Sequence, residues 1–496
     1  MSGCVLAAHW PALSAKAMCS DDLEYLVDNR LVKNPSWDSA KQFLCEVLRP
    51  STVGGYYQPL AMISLMLDYH AGGREADPRA FHRTSLALHV ANTAMVVVLM
   101  YLLFGNPYVA SIVGLLFGLH PMTVEPIPWI SERKTLLASL FAFACLAFYA
   151  RYSRTRSWKY YIAVAATFIL ALMSKPTSTP LPACMLVMDY WPLRRLNRKA
   201  FIEKIPLFLI AGISAFITFY SQRATFGVNM PSKRSPLWIF YIICHNIVFY
   251  LRKMLVPANL SPHYPYPEPV ALSHPEVLAG VIGTFVLLAA LFLAIRKTRA
   301  PLAGWLFFFV AIFPAMGVVG FTVVVASDKF AYLPSVGLLM LAAGTLVWLW
   351  ERRHTGLRVA ILVLAFVLVV AEAIVVRKTV AHWADTHTLN LHMLSVTPDA
   401  AWVHNCTAVN LIRKGRIPEA IGHLESAIAL DPTYAEPHNS MGYIYVTQGN
   451  YGMAIRHYKR AIALRPGYTA ARRNLASALK AEGHQNGPGG RPSAER

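Results

Sequence analysis

Acidic residues are scarce in this sequence: 26 Asp and Glu stand against 46 Lys and Arg, and charged residues make up only 15%. A soluble globular domain carries about 25% charge and about 45–50% apolar residues, whereas this chain is 55% hydrophobic. That balance excludes an ordinary soluble protein. Cysteine is sparse too, with seven residues placed singly and no CxxC spacing. Sulfur-based metal binding is thereby excluded, and Cys19 and Cys45 form a bridge only if their segment lies outside the cell. No GxGxxG, Walker, GxSxG or HExxH element occurs, so the chemistries built on those motifs have no footing here. Alternating ten-residue strand patterns are also missing, which excludes an outer-membrane barrel.

What is present is a series of apolar blocks: 84–104, 108–120, 134–150, 158–173, 178–190, 205–222, 237–256, 276–295, 302–322, 330–350 and 357–376. Most approach the ~20 residues that cross a bilayer as helix. The class is an all-α, polytopic membrane protein. Its excess positive charge sits in short loops between blocks, at Arg151–Lys159, Arg194–Lys199, Arg296–Arg299 and Arg352–Arg358. Such loops mark the cytoplasmic side, which argues for membrane lipid as the surrounding partner and against nucleic acid. With these four loops inside, Asp21-Asp22, Glu125, Lys175 and Asp328 fall on the opposite face. This holds only if block 237–256, which carries His245 and Asn246 and ends in Arg252-Lys253, lies in the interface instead of crossing. The chain then leaves its last span near Val376 on the extracytoplasmic side. Residues 1–17 are too short and too broken by His9, Trp10, Pro11 and Lys16 to span, so the first span reads as incomplete.

From Ala401 the sequence repeats at 34 residues, the tetratricopeptide (TPR) period. Residues 401–434 align without gaps on 435–468. Ala408 and Gly442 are small where two helices cross, Gly415 and Gly449 make the turns, and Pro432 and Pro466 stop the second helices. A partial third repeat occupies 469–482, and 483–496 reads as a disordered tail. The expected organisation is therefore an N-terminal loop region over 1–83, a membrane domain over 84–380, and a repeat region over 381–482. The array is either a peptide-binding groove or a structural cap.

Candidate chemistry collects at the far face. Asp21 and Asp22 are carboxylates at a membrane edge, where desolvation is expensive and a general base is one use for them. Glu125 lies in the turn of HPMTVEPIPWISERKTLLA, and Glu132-Arg133-Lys134 open the next helix. Cations at a helix start suit a lipid phosphate or plain interfacial anchoring. Lys175 ends its helix on the same side, and Asp328-Lys329 begin another. No spacing supports a metal site, and no metal ligand is assigned.

Taken in order, DDLEYLVDN, YYQPLAMISLMLDY, HPMTVEPIPWISERKTLLA, SKPTSTPLP with DYWPL, YLRKMLVPANLSPHYP, SDKFAYLPSVG and HWAD, followed by repeats, resemble one family. The chain is similar to bacterial relatives of the transmembrane and TPR-containing (TMTC) O-mannosyltransferases, within the GT-C glycosyltransferase superfamily. The resemblance implies a GT-C-like membrane domain followed by a short TPR α-solenoid in a bacterial inner membrane. It also implies a polyprenyl-phosphate-linked sugar as donor, a Ser/Thr hydroxyl of an extracytoplasmic polypeptide as acceptor, and inverting transfer. Asp21 and Asp22 take the catalytic place, with Asp21 favoured as base. Glu125, Arg133, Lys134, Lys175, Asp328 and Lys329 become donor-phosphate or acceptor-positioning residues. Where relatives often carry Asp-Arg-Tyr, this chain has Asp328-Lys329-Phe330, keeping charge without the bidentate fork. A non-catalytic TPR membrane scaffold is the competing reading, and a lipid or polysaccharide acceptor a third.

Overall fold

The computed structural model describes residues 1–226, 235–317, 324–352 and 354–485. The chain divides into two compact units, Met1–Asp385 and Thr386–Arg496.

The first unit is helical throughout its described elements. In chain order its principal helices are α1 (Ser2–His9), α2 (Trp37–Cys45), α3 (Pro59–His70), α4 (Arg79–Phe104), α5 (Pro107–Leu119) and α6 (Arg133–Thr155). There follow α7 (Trp158–Ser174), α8 (Leu181–Tyr190), α9 (Ile205–Phe226), α10 (Pro236–Leu255) and α11 (Pro275–Ile295). The last are α12 (Ala300–Ile312), α13 (Ser335–Trp350) and α14 (Thr355–Ala381). Local chemistry sets several boundaries. The Asn106 side chain accepts from the amides of Tyr108 and Val109 to start α5, and Gly105 closes α4 at φ +74°.

Five stretches among the described residues are long and apolar enough to cross a membrane: Arg79–Phe104, Ile130–Thr155, Arg198–Thr225, Pro275–Ile295 and Thr355–Ala381. The chain is a multi-pass membrane protein. Fewer blocks qualify than their sequence lengths suggest. Blocks 108–120, 158–173, 302–322 and 330–350 become the shorter helices Pro107–Leu119, Trp158–Ser174, Ala300–Ala315 and Ser335–Trp350. Pro121, Pro176 and Pro334 cut three of them, and their free ends are received by protein instead of lipid. Residues 318–322 of the ninth block lie outside the described residues.

The core joins α4 to α8 with α12 and α13 through Val96, Phe117, Phe143, Phe168, Phe307 and Tyr332. Two glycines set the closest crossing. A Cβ on Gly337 would stand 2.6 Å from the Gly304 carbonyl oxygen, and one on Gly304 would stand 2.8 Å from that of Gly337. Gly337→Val must therefore push α12 and α13 apart, at a cost of about 1–3 kcal/mol. Thermal unfolding of the detergent-solubilised chain checks this, and an unchanged midpoint would refute the crossing.

The basic loops meet at one end of the bundle. Arg156 and Arg195 both pair with Glu203, Arg299 lies 5.1 Å over the Tyr190 ring, and Arg358 donates to the Trp350 carbonyl. A buried knot of Asp189, Tyr149, Arg195 and Lys204 locks that end. Helix α10 is not one of the five stretches. It packs on α11, where Thr284 donates to the Cys244 carbonyl, and along its length on loops of the other end. Trp238 meets Tyr266, Asn246 donates to the Val325 carbonyl, Tyr250 donates to that of Ser327, and the Lys253 ammonium donates to that of Asn259. Helix α14 starts beside Arg358 at the basic end and leads to Trp383, which lies 6.0 Å from Trp129 at the other.

Residues 1–83 are more structured than a loop region. Helix α1 and a 3₁₀ turn over Trp10–Ser14 pack on α4, α5 and α14, with His9 Nε2 3.0 Å from the Gly118 carbonyl oxygen. Helices α2 and α3 share a separate core with Tyr25, Leu26 and Phe81. Cys45 is exposed and carries a free thiol, so it makes no bridge to Cys19.

The second unit contains α15 (Thr386–Val396), α16 (Ala401–Arg413), α17 (Ile417–Leu430), α18 (Ala435–Thr447), α19 (Tyr451–Leu464) and α20 (Thr469–Gln485). The two hairpins α16–α17 and α18–α19 repeat each other closely. Gly415 and Gly449 both turn at φ +74°, and Ala420, Ala427, Ala454 and Ala461 are fully buried. Gly442 lies against the Tyr458 ring, where a Cβ would stand 2.6 Å from it. Helix α20 continues through Gly483 to Gln485, past the expected boundary at 482, and residues 486–496 lie outside the described residues.

Candidate functional site

At the end opposite the basic loops, the irregular segments between helices bring the sequence candidates together. Asp22 is fully buried. One carboxylate oxygen accepts from the Cys19 amide at 3.0 Å and the other from the Ser131 amide at 2.8 Å. Burial pushes its pKa up to about 7, against the opposing pull of those two amides. Both oxygens are thus engaged by backbone, and Asp22 ties the N-terminal segment to the turn before α6. A substrate hydroxyl has no access to it, so the catalytic assignment of Asp22 gives way to a structural one. Asp21 differs: its side chain is 47% exposed, with a carboxylate oxygen 3.9 Å from Lys134 Nζ.

Lys134 belongs to a buried charge cluster centred on Glu132. The Glu132 carboxylate lies 3.4 Å from Lys134 Nζ, 3.0 Å from Lys175 Nζ and 3.2 Å from Lys329 Nζ. The Thr135 hydroxyl donates to it as well. Lys134 Nζ also donates to the Tyr25 hydroxyl at 3.0 Å, and Lys329 Nζ sits 3.5 Å over the Trp129 ring. Lys134 also has Asp21 and Lys329 also has Glu125 as a second carboxylate, so Lys175 is the cluster lysine paired with Glu132 alone. Burial lowers the Lys175 pKa to about 8, with Glu132 opposing and Lys134 and Lys329 adding to the fall.

Glu125 supports this cluster from below. Its carboxylate accepts from the Ser327 hydroxyl at 3.0 Å and the Lys329 amide at 2.9 Å, and stands 3.6 Å from Lys329 Nζ. Burial raises its pKa to about 7, against the pull of Lys329. Asp328 and Lys329 part company. Asp328 turns away to accept from the Tyr264 hydroxyl at 3.1 Å, and burial holds its pKa well above the usual carboxylate range. Asp328 therefore anchors the 259–266 loop and does not face the lysines.

Arg133 is also outside the cluster. It is fully buried, pairs with Asp68 at 2.7 Å, and donates to the Ser64 and Ser85 hydroxyls and the Phe81 carbonyl. With its guanidinium enclosed, Arg133 holds α3 and α4 to α6, and its expected phosphate role is withdrawn. Glu132 was missing from the sequence candidates. Its only local signal is a carboxylate just before two cations, because Lys175 and Lys329 are far away in the chain.

Beside Lys175 and Lys329 opens a small cleft of about 40 Å³. Thr135, Ser139, Thr177 and Ser178 line its polar side, and Ile312, Pro314, Phe330 and Leu333 its apolar side. Among the described residues, no three His, Cys, Asp or Glu side chains are grouped to hold a metal ion.

Comparison with known proteins agrees with both halves of this architecture. Residues 411–449 match the TPR repeat model and residues 435–468 the tetratricopeptide repeat model. Protein O-mannosyl-transferase TMTC2 of mouse is 26% identical over 208 residues, covering 40% of this chain and 24% of the relative, and the human protein matches equally. A Caenorhabditis elegans protein O-mannosyl-transferase is 23% identical over 432 residues, 84% of this chain and 60% of that protein. The chain is similar to the TMTC proteins. The matched stretch spans about a quarter of the length of the mouse and human relatives. In this TMTC-like chain the repeats follow a bundle whose polar end gathers Asp21, Glu125, Glu132 and three lysines.

Proposed function

We propose that this TMTC-like chain is a membrane glycosyltransferase, moving a sugar from a polyprenyl-phosphate carrier to a Ser or Thr hydroxyl of a polypeptide. The observation that carries the reading is Asp21, a solvent-reaching carboxylate beside a buried cluster of three lysines gathered by Glu132 and Glu125. The relatives' names as protein O-mannosyl-transferases support it and point to mannose. In the reaction Asp21 takes the proton of the acceptor hydroxyl as its oxygen attacks the anomeric carbon. The bond from that carbon to the phosphate oxygen breaks, and attack from the opposite side inverts the configuration. Lys175 and Lys329 hold the phosphate as it gains charge, and Lys134 stands beside Asp21. The lipid tail lies along the apolar side of the cleft.

The basic loops face the cytoplasm in this scheme, so the site and the repeat unit are extracytoplasmic and the repeats bind the acceptor chain. Reporter fusions after Arg299 and after Arg416 are expected to read cytoplasmic and extracytoplasmic respectively; two cytoplasmic readings overturn the topology. The function is tested by mass spectrometry of envelope glycoproteins in a deletion strain. Loss of hexose from Ser/Thr sites, restored by the wild-type gene, is expected. Unchanged glycans would leave the non-catalytic scaffold as the better account.

The lysines give the reaction an alkaline limit. Lys175 loses its charge as pH rises through about 8, so kcat/KM for the donor is expected to fall above that pH. In Lys175→Arg the guanidinium stays charged, and the limb should move out of the measurable range. A limb near pH 8 in both proteins would remove Lys175 from the phosphate site.

A further inference from the structure

The two complete repeats share a feature that packing does not require. Most positions identical between them are small, aliphatic or turn-forming, and these fill the helix crossings and hairpin turns. Two are histidines: His404 with His438, and His423 with His457. In each repeat the pair meets across the hairpin. His404 Nδ1 lies 3.0 Å from His423 Nδ1, and His438 Nδ1 lies 3.3 Å from His457 Nδ1. At the same register the third repeat has Arg472, so the pairing ends with the second hairpin.

The first pair has the features of a ligand set. Metal–imidazole bonds of about 2.0–2.1 Å place two nitrogens about 2.9–3.4 Å apart in square-planar or tetrahedral geometry. His404 Nε2 lies 3.0 Å from the Pro398 carbonyl oxygen. That contact makes Nε2 the protonated nitrogen and leaves an Nδ1 lone pair directed at His423, the outer hydrogen bond that ligating histidines typically make. Both rings are half-buried and reachable from solvent. Glu419 lies four residues before His423 on α17, hence on the same face. It is exposed, with its carboxylate held by Arg416. His387 of α15 acts electrostatically on both His423 and Glu419. The second pair lacks an acid at the matching position, where Met453 stands, and has Arg456 and Arg460 nearby.

We propose that His404 and His423 form a binding site for a borderline divalent transition metal, Zn²⁺ or Cu²⁺, through their Nδ1 atoms. No third ligand is grouped with them as they stand; water or a rotated Glu419 completes the coordination. The ion links the two helices of the first repeat, and the His438–His457 pair is a weaker counterpart beside its arginines. Imidazole nitrogens suit both metals. The proposal is independent of the sugar-transfer reading.

The test uses the full-length chain in detergent with thiols alkylated. Zn²⁺ affinity is measured by competition with a chromophoric chelator, and bound Cu²⁺ by electron paramagnetic resonance. One saturable site with nitrogen hyperfine splitting is expected, together with a raised unfolding midpoint of the repeat unit. Removing an outer-shell partner already costs ~10–100-fold in metal affinity, so His404→Asn and His423→Asn should each weaken binding at least ~10-fold. His457→Asn should leave that site intact. His404→Phe, which retains a packed ring without nitrogens, separates ligand loss from misfolding. No saturable site in the wild type, or affinity unchanged in the His404 and His423 variants, overturns the proposal. A stability loss in those variants without metal binding by the wild type reduces the pair to a hydrogen bond between helices.

Discussion

Asp21→Asn is expected to abolish sugar transfer while leaving the fold intact. A positioned general base contributes about 10²–10⁴-fold in rate, and the amide cannot accept a proton from the acceptor hydroxyl. The side chain is half exposed, and its one ion pair among the described residues is the 3.9 Å approach to Lys134; such a contact contributes about 0–1 kcal/mol. The unfolding midpoint should therefore stay within a degree or two of wild type. Asp22→Asn should behave in the opposite way. Its amide group can accept from one of the Cys19 and Ser131 amides but turns an N–H toward the other, at about 1–3 kcal/mol. Activity should fall only as far as folded protein does.

Asp22 also carries a pH signature. Asp22 is raised to about 7 from an ordinary value of 3.8. The folded chain therefore binds that proton more tightly than the unfolded one. Its contribution to stability is fullest below pH ~4 and falls as pH rises from ~4 through ~7. Asp22→Asn should flatten that slope. Transfer assays with a synthetic polyprenyl-phosphate sugar and an acceptor peptide, beside melting curves at several pH values, measure both. Full activity in Asp21→Asn would sink the proposed mechanism.

Glu132→Gln carries the second large effect. The carboxylate lies within 3.4 Å of three lysine ammonium groups, and Glu125 reaches only Lys329 among them. Removing one partner from a buried ion network typically costs about 3–5 kcal/mol, because the remaining charge is left unpaired. The variant should melt well below wild type, and Lys175 should lose its proton at still lower pH. Adding Lys175→Met removes one of the stranded charges, so the double variant should be more stable than Glu132→Gln alone. The double-mutant cycle, read by thermal or denaturant unfolding in detergent, checks this coupling. Strict additivity would show that Glu132 and Lys175 do not share a charge network.

The amino-acid order by itself determined the helical membrane class, the placing of the basic loops and the 34-residue repeat. Those properties are written in local composition and period, which need no distant partner to be read. It also singled out Asp21, Lys134, Lys175 and Lys329, because charge beside an apolar block is conspicuous. Only the tertiary structure decided which of these charges face one another. Glu132, Arg133 and Lys134 are consecutive, yet the turn of the helix sends Arg133 toward Asp68 and the other two into the cluster. Asp328 and Lys329 part in the same way, toward Tyr264 and toward Glu132. Asp22 stood beside Asp21 as a second catalytic candidate until folding brought the Ser131 amide to its carboxylate. The paired histidines of the repeats were visible as identities, but their 3.0 Å and 3.3 Å approaches exist only once each hairpin closes. In every case the deciding partner lies far along the chain or across a turn, where neither spacing nor periodicity carries information.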